Sequence, residues 1–209
     1  MYLLRKRWIQ VIALAFVAAA CSTLKQPSPR IAFYTLEYPS PRVEGLKPLS
    51  AALQVDRFAV APMYNTSQMV YRDRAFRRDA YIYHRWRSNP GDLVTYFIAR
   101  DLRESGLFKA VSPGEGELFS QYVLEGSVEE FFEWETEAEW KAVLAVSITL
   151  LVDRQPDISK RVLFQKTLST SKIFKQKNPL GFAEAMSEAM AEVSLEIIQS
   201  IYFHLKNRE

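Results

Sequence analysis

One thiol, two imidazoles and two charge runs of opposite sign are the groups in this 209-residue sequence that could do chemistry. Cys21 is the sole cysteine, so no internal disulfide can form. A thiol can be made nucleophilic as its thiolate, and no other side chain here offers that chemistry. His84 and His204 fall on different elements, so with Cys21 they cannot assemble the common His/Cys type of zinc site. There is no Gly-x-Ser-x-Gly elbow and no phosphate loop of the Gly-Lys-Ser/Thr kind. A carboxylate pair of the glycosidase type would have to come from the glutamates between Glu115 and Glu139. Those are mostly strand and loop positions with outward alternation, which reads as a solvated face. We expect no catalytic residue, no metal ligand and no cofactor.

The charge runs carry more information. Residues 70–87 hold six arginines against Asp73 and Asp79, interleaved with Tyr71, Phe76, Tyr81, Tyr83 and Trp86. Arg72, Arg74, Arg77 and Arg78 are the candidate contacts for an anionic partner. Basic residues among aromatics can bind nucleic acid, but an exported chain does not meet it. An anionic lipid headgroup or an acidic protein suits the compartment better. Residues 115–139 hold nine glutamates and no base. The two runs either neutralise each other or face water, or one of them is a partner surface.

The amino end fixes the compartment. Arg5, Lys6 and Arg7 precede an apolar stretch from Trp8 to Ala20 that only Gln10 interrupts. That length suits a signal h-region of roughly 7–15 residues and falls short of the roughly 20 a spanning helix needs. Ala18, Ala19 and Ala20 lead straight into Cys21, which resembles the lipobox of bacterial lipoproteins. Ala18 stands where that motif usually has Leu. The resemblance implies cleavage between Ala20 and Cys21, a diacylglyceryl group on the thiol and an N-acyl group on the new terminus. One acyl chain anchors marginally, whereas two or three together hold firmly. The basic pI belongs to the signal: beyond residue 20, 24 basic residues face 24 acidic ones.

The expected organisation is a removed signal peptide over 1–20, a lipidated cysteine and short flexible tether over 21–32, and a single domain over 33–206. Pro27 and Pro29 make the tether extended, with a reach of roughly 30 Å. Phe33–Tyr38 alternates as a strand, and Leu53–Val60 forms a second. Met69–Asp73 and Ala80–Arg85 form a strand pair. Pro90 opens a helix capped by Ser88 or Asn89. Its apolar face is Leu93, Phe97, Ile98 and Leu102, with Arg100, Asp101, Arg103 and Glu104 mostly off it. Gly106 closes it as a left-handed cap, and Leu107–Val111 is a short strand. Two long alternating strands follow, with Tyr122, Leu124, Val128, Phe132 and Trp134 on one face of the first. A further strand over Arg161–Phe174 precedes a final helix capped at Asn178-Pro179. Its stripe of Phe182, Met186, Ala189, Val193, Ile197, Ile201 and Leu205 suits packing on a sheet, with a coiled-coil seam as the alternative. The fold class is α+β: a largely antiparallel mixed sheet with two main helices against it, an α/β sandwich.

The order and spacing of Trp86, Pro90, Ser105-Gly106-Leu107-Phe108 and Leu124-Glu125-Gly126 resemble the auxiliary lipoproteins of ABC-type envelope transport systems. That family works with MCE-domain proteins in lipid traffic between membranes. The likeness runs from about Phe33 to Leu205. It implies a non-enzymatic periplasmic domain, usually anchored in the outer membrane. It also implies an MCE-domain partner connected to an ABC permease and ATPase on other chains. Ser22 after the cysteine is similar to outer-membrane-directed lipoproteins. The resemblance gives Trp86 a packing role under the Pro90 helix and Gly106 a backbone role. A structural or activating lipoprotein of another envelope machine, such as cell-wall synthesis, is the competing reading. Self-association into a homo-oligomer is open.

Overall fold

A computed structural model of the chain describes residues 29–114 and 120–208. Ala20, Cys21 and the tether as far as Ser28 lie outside the described residues. The longest ladder pairs β7 (Tyr122–Glu135) with β8 (Trp140–Val152), antiparallel, and β8 continues antiparallel onto β9 (Val162–Phe174). Sustained period-2 alternation produces these three strands, and Thr136 closes the turn between the first two. Its backbone N–H and hydroxyl both donate to the Glu139 carbonyl, at 3.0 and 2.7 Å.

The other edge of β7 collects three short strands in parallel: β2 (Leu49–Val55), β3 (Ala59–Val60) and β4 (Gln68–Arg72). β6 (Phe108–Pro113) lies parallel outside β2. β5 (Asp79–Trp86) lies antiparallel outside β4 and carries β1 (Ala32–Tyr34) parallel at the rim. The nine strands make one mixed sheet, and the α+β class expected from the sequence holds.

Among the described residues, three α-helices accompany the sheet: α1 (Pro90–Glu104), the short α2 (Ile158–Arg161) and α3 (Pro179–Lys206). The Asn89 and Asn178 side chains cap α1 and α3 by accepting from the Gly91 and Gly181 N–H groups. Every residue of the predicted α3 stripe is buried, from Phe182 to Leu205. That stripe packs on β8 and β9, as a sheet-covering helix should. Gly106 has φ +66°, the left-handed cap its position predicted.

Three local expectations differ. The first strand is only Ala32–Tyr34, because the chain then turns inward. Leu36 is buried, and the Glu37 N–H donates to Ser187 Oγ of α3 at 3.0 Å. The second strand starts earlier, at Leu49, and breaks at Asp56–Phe58. There Phe58 turns its ring into the core against Gly126, where a Cβ would stand 2.1 Å from a ring carbon. Trp86 is buried, with its ring against Phe131 of β7 and Phe182 of α3 at 5.2 and 5.4 Å. Asp101, expected off the apolar face of α1, is completely buried.

The difference with most consequence is a bulge in β7. Val128 pairs with Val146, yet Glu130 pairs with Ala145, so one extra residue enters the strand. Leu124 and Val128 oppose the buried even-numbered residues of β8 before the bulge; Phe131 and Glu133 do so after it. Phe132 and Trp134 therefore turn to the opposite face from the one expected. Phe132 is buried there under Tyr64, with the rings stacked 5.6 Å apart.

Candidate functional site at the β4–β5 hairpin

The predicted basic cluster folds into the hairpin that joins β4 to β5. Its tip is Phe76, fully exposed and with φ +62°. A bulky side chain in the left-handed region costs roughly 1–2 kcal/mol, and an exposed phenyl ring gains nothing from packing. Both features persist because the base of the hairpin is braced. Arg77 lies 3.5 Å from Asp73 and 3.3 Å from Asp79, and Arg74 lies 3.4 Å from Asp73. The Ala80 N–H foremost, then Arg77, holds the Asp79 carboxyl below its usual range.

Arg72 and Arg78 do a different job. Their guanidiniums lie over the Trp134 and Phe132 rings, at 4.7 and 4.9 Å from the centroids. Arg78 also donates to the Tyr64 hydroxyl at 3.4 Å. The bulge that turned Phe132 and Trp134 to the other face of the sheet thus gave these two arginines their aromatic seats. All four predicted arginines share one hairpin. Two are seated on β7, and the exposed Arg74 and Arg77 flank the tip.

Behind the hairpin the acidic run meets the basic one, since Tyr71 and Arg72 pair with Glu133 and Trp134. Glu133 is completely buried and accepts from the Tyr81 hydroxyl at 3.2 Å. Burial foremost, then the charge of Glu135, pushes the Glu133 carboxyl up to about 8. Burial foremost also raises the Glu135 carboxyl. Burial and the Glu133 carboxylate together hold the Tyr81 phenol far above its usual range. A cleft of about 630 Å³ opens beside them, lined by Tyr71, Asp73, Asp79, Tyr81, His84 and Glu135 among others. The sequence reading placed Glu133 on a solvated face. One signal could have found it: Phe131 and Phe132 are adjacent and both large, so a strict one-sided strand cannot bury both without a bulge or a second cover. Among the described residues, no group of three or more His, Cys, Asp or Glu could hold a metal ion.

Phe76 thus stands strained and exposed on a braced hairpin of the α+β domain. That domain is shared with solved structures. A crystal structure of a Xanthomonas campestris protein described by the family model DUF330 superposes with a TM-score of 0.76 at 17% identity. It covers 85% of this chain and 98% of that one. A hypothetical protein from Chlamydia trachomatis superposes with a TM-score of 0.51 at 9% identity, covering 74% and 98%. At these identities the likeness establishes the fold alone. A comparison with curated proteins returns no match. The model of the ABC-type transport auxiliary lipoprotein component matches residues 34–198, and the chain belongs to that family. Among the described residues, no helix is long and apolar enough to cross a membrane.

Removing the strain at the tip has an expected result. Phe76→Gly should raise stability by about 0.5–1 kcal/mol, read as a higher urea midpoint with an unchanged slope. A lower midpoint would show that the ring packs on something the exposed geometry does not contain.

Proposed function

We propose that the protein is a non-enzymatic docking subunit of an MCE-type lipid transporter, held by lipid on Cys21 to the periplasmic face of the outer membrane. Its partner is an MCE-domain protein, through which it works with an ABC permease and ATPase. Family membership supports the transport role, and the exposed Phe76 between Arg74 and Arg77 supplies the contact element. The hairpin suits an acidic, partly apolar surface: Phe76 fills a pocket while Arg74 and Arg77 meet carboxylates at its rim.

Detergent extraction and pull-down with the lipidated chain should recover an MCE-domain protein. Phe76→Asp combined with Arg74→Glu should reduce that recovery at least about tenfold, with the largest deficit at low salt. Unchanged recovery would leave the hairpin as plain surface, and recovery of only unrelated envelope proteins would reject the transport partner. Cys21→Ala should leave the fold intact but give an uncleaved or mislocalised precursor. Normal membrane fractionation of that mutant would overturn the anchor.

A further inference from the structure

We propose that the rim formed by β1 and the first turn of α3 lies on the lipid bilayer, with Ile31, Phe33 and Leu180 entering the headgroup–acyl boundary. The proposal rests on the lipid anchor at Cys21 and adds an orientation to it.

Three observations carry it. Ile31, Phe33 and Leu180 are 43%, 53% and 48% exposed, and large apolar side chains held open at one rim mark a contact surface. Phe33 and Leu180 both line a groove of about 270 Å³ between β1 and α3. The exposed Tyr83 immediately precedes His84, the β5 partner of Ala32, and lies on the same face of the sheet as Ile31 and Phe33. Second, Arg87 carries its guanidinium over the Phe33 ring, 5.5 Å from the centroid, and its backbone N–H donates to the Tyr34 carbonyl at 2.7 Å. An exposed arginine on an apolar platform can bind a lipid phosphate while its stem stays on the ring. Third, the chain enters the domain at this rim. Nine residues, from Ser22 to Arg30, separate Cys21 from Ile31. Fully extended they reach roughly 30 Å, so a lipid on Cys21 holds this rim, before any other part of the domain, within reach of the bilayer. Glu37 and Glu184 line the same groove. They favour the zwitterionic phosphate surface over a strongly anionic one, and Lys175 and Lys177 lie just before the α3 cap.

The opposite pole is well separated. Lys160 of α2 lines a cleft with Arg208, just past the end of α3, and a 28-residue helix is about 40 Å long. The lipidated full chain, reconstituted into phosphatidylethanolamine–phosphatidylglycerol vesicles, carries one environment-sensitive fluorophore on a new thiol, at Phe33→Cys or at Lys160→Cys. At position 33 the emission should shift to the blue, and aqueous iodide quenching should fall at least about threefold relative to position 160. Ile31→Cys serves as a second probe if the first disturbs the fold. Equal quenching at 31, 33 and 160 in a chain that floats with the vesicles overturns the rim contact and leaves the anchor standing. A mature amino-terminal peptide without lipid mass overturns the anchor itself. Shielding at position 33 that depends on protein concentration without vesicles overturns the proposal in favour of a second copy.

Discussion

Replacing Asp101 by alanine is expected to destabilise the protein by about 3–5 kcal/mol and to release the segment after Tyr38 from α1. The carboxylate is completely buried. Its Oδ2 accepts from the Tyr38 hydroxyl at 2.7 Å, and its Oδ1 accepts from Ser40 Oγ at 2.8 Å. Arg100, mostly buried itself, pairs with the same Oδ1 at 2.7 Å. The Arg100 guanidinium also lies over the Tyr38 and Phe97 rings, at 4.5 and 4.6 Å. Burial, then the Asp101 charge, keeps the Tyr38 phenol protonated far above its usual range. One carboxylate thus ties a proline-rich loop to a helix through two hydroxyls and a cation. Deleting it leaves a desolvated guanidinium and two hydroxyls without their acceptor. Urea denaturation should show the loss. Limited proteolysis should cut between Pro39 and Pro48 in the variant well before the wild type. Asp101→Asn should fall between the two, since the amide can accept from Tyr38 but cannot pair with Arg100. A wild-type urea midpoint for the alanine variant would reject the tie.

Glu133→Gln should change how stability depends on pH. The unfolded carboxyl ionises near 4.5, whereas the folded one holds its proton to about 8. Below about pH 4.5 both states are protonated and the group contributes no slope. Between those values the folded state binds more protons than the unfolded one, so stability falls as pH rises. Above about 8 the buried charge is fully formed and the loss is complete. Glutamine cannot ionise and can still accept from the Tyr81 hydroxyl. Near pH 5 the variant should match the wild type within about 1 kcal/mol, and near pH 9 it should be more stable by on the order of 5 kcal/mol. Denaturation series at pH 5, 7 and 9 read this directly. Parallel profiles for the two proteins would mean that Glu133 ionises as an ordinary exposed carboxylate.

The sequence was most legible where a single local rule acts alone. The α3 stripe steps by three and four with no interruption, and every one of its residues is buried. Asn89 and Pro90 carry a capping chemistry that needs no tertiary partner, and Asn89 does cap the helix. Gly106 likewise answers a backbone requirement. The basic hairpin was found because six arginines and five aromatics in a short span are visible without a fold. What could not be read depends on long-range registration. One inserted residue near Glu129 reverses which face every later β7 side chain takes. That reversal buried Glu133, exposed the Trp134 ring to Arg72, and seated Arg78 on Phe132. Asp101 was hidden for a similar reason. Its helical position is on the buried face, but its partners Tyr38 and Ser40 lie some sixty residues away. The short break at Phe58 depends on Gly126, a contact no local window contains.

The parallel joining of β2, β3 and β4 to one edge of β7 has a consequence for when the fold can close. Leu53 waits for Tyr122, Ala59 for Ser127 and Tyr71 for Glu133. The first hundred residues can form the β4–β5 hairpin and α1, but most of their strands have no central partner until Tyr122–Val152 has been delivered. Such distant pairings form slowly. An amino-terminal half whose strands lack these partners cannot complete its own sheet until that ladder is present. The β7–β8 ladder then acts as the late template on which the earlier strands are collected.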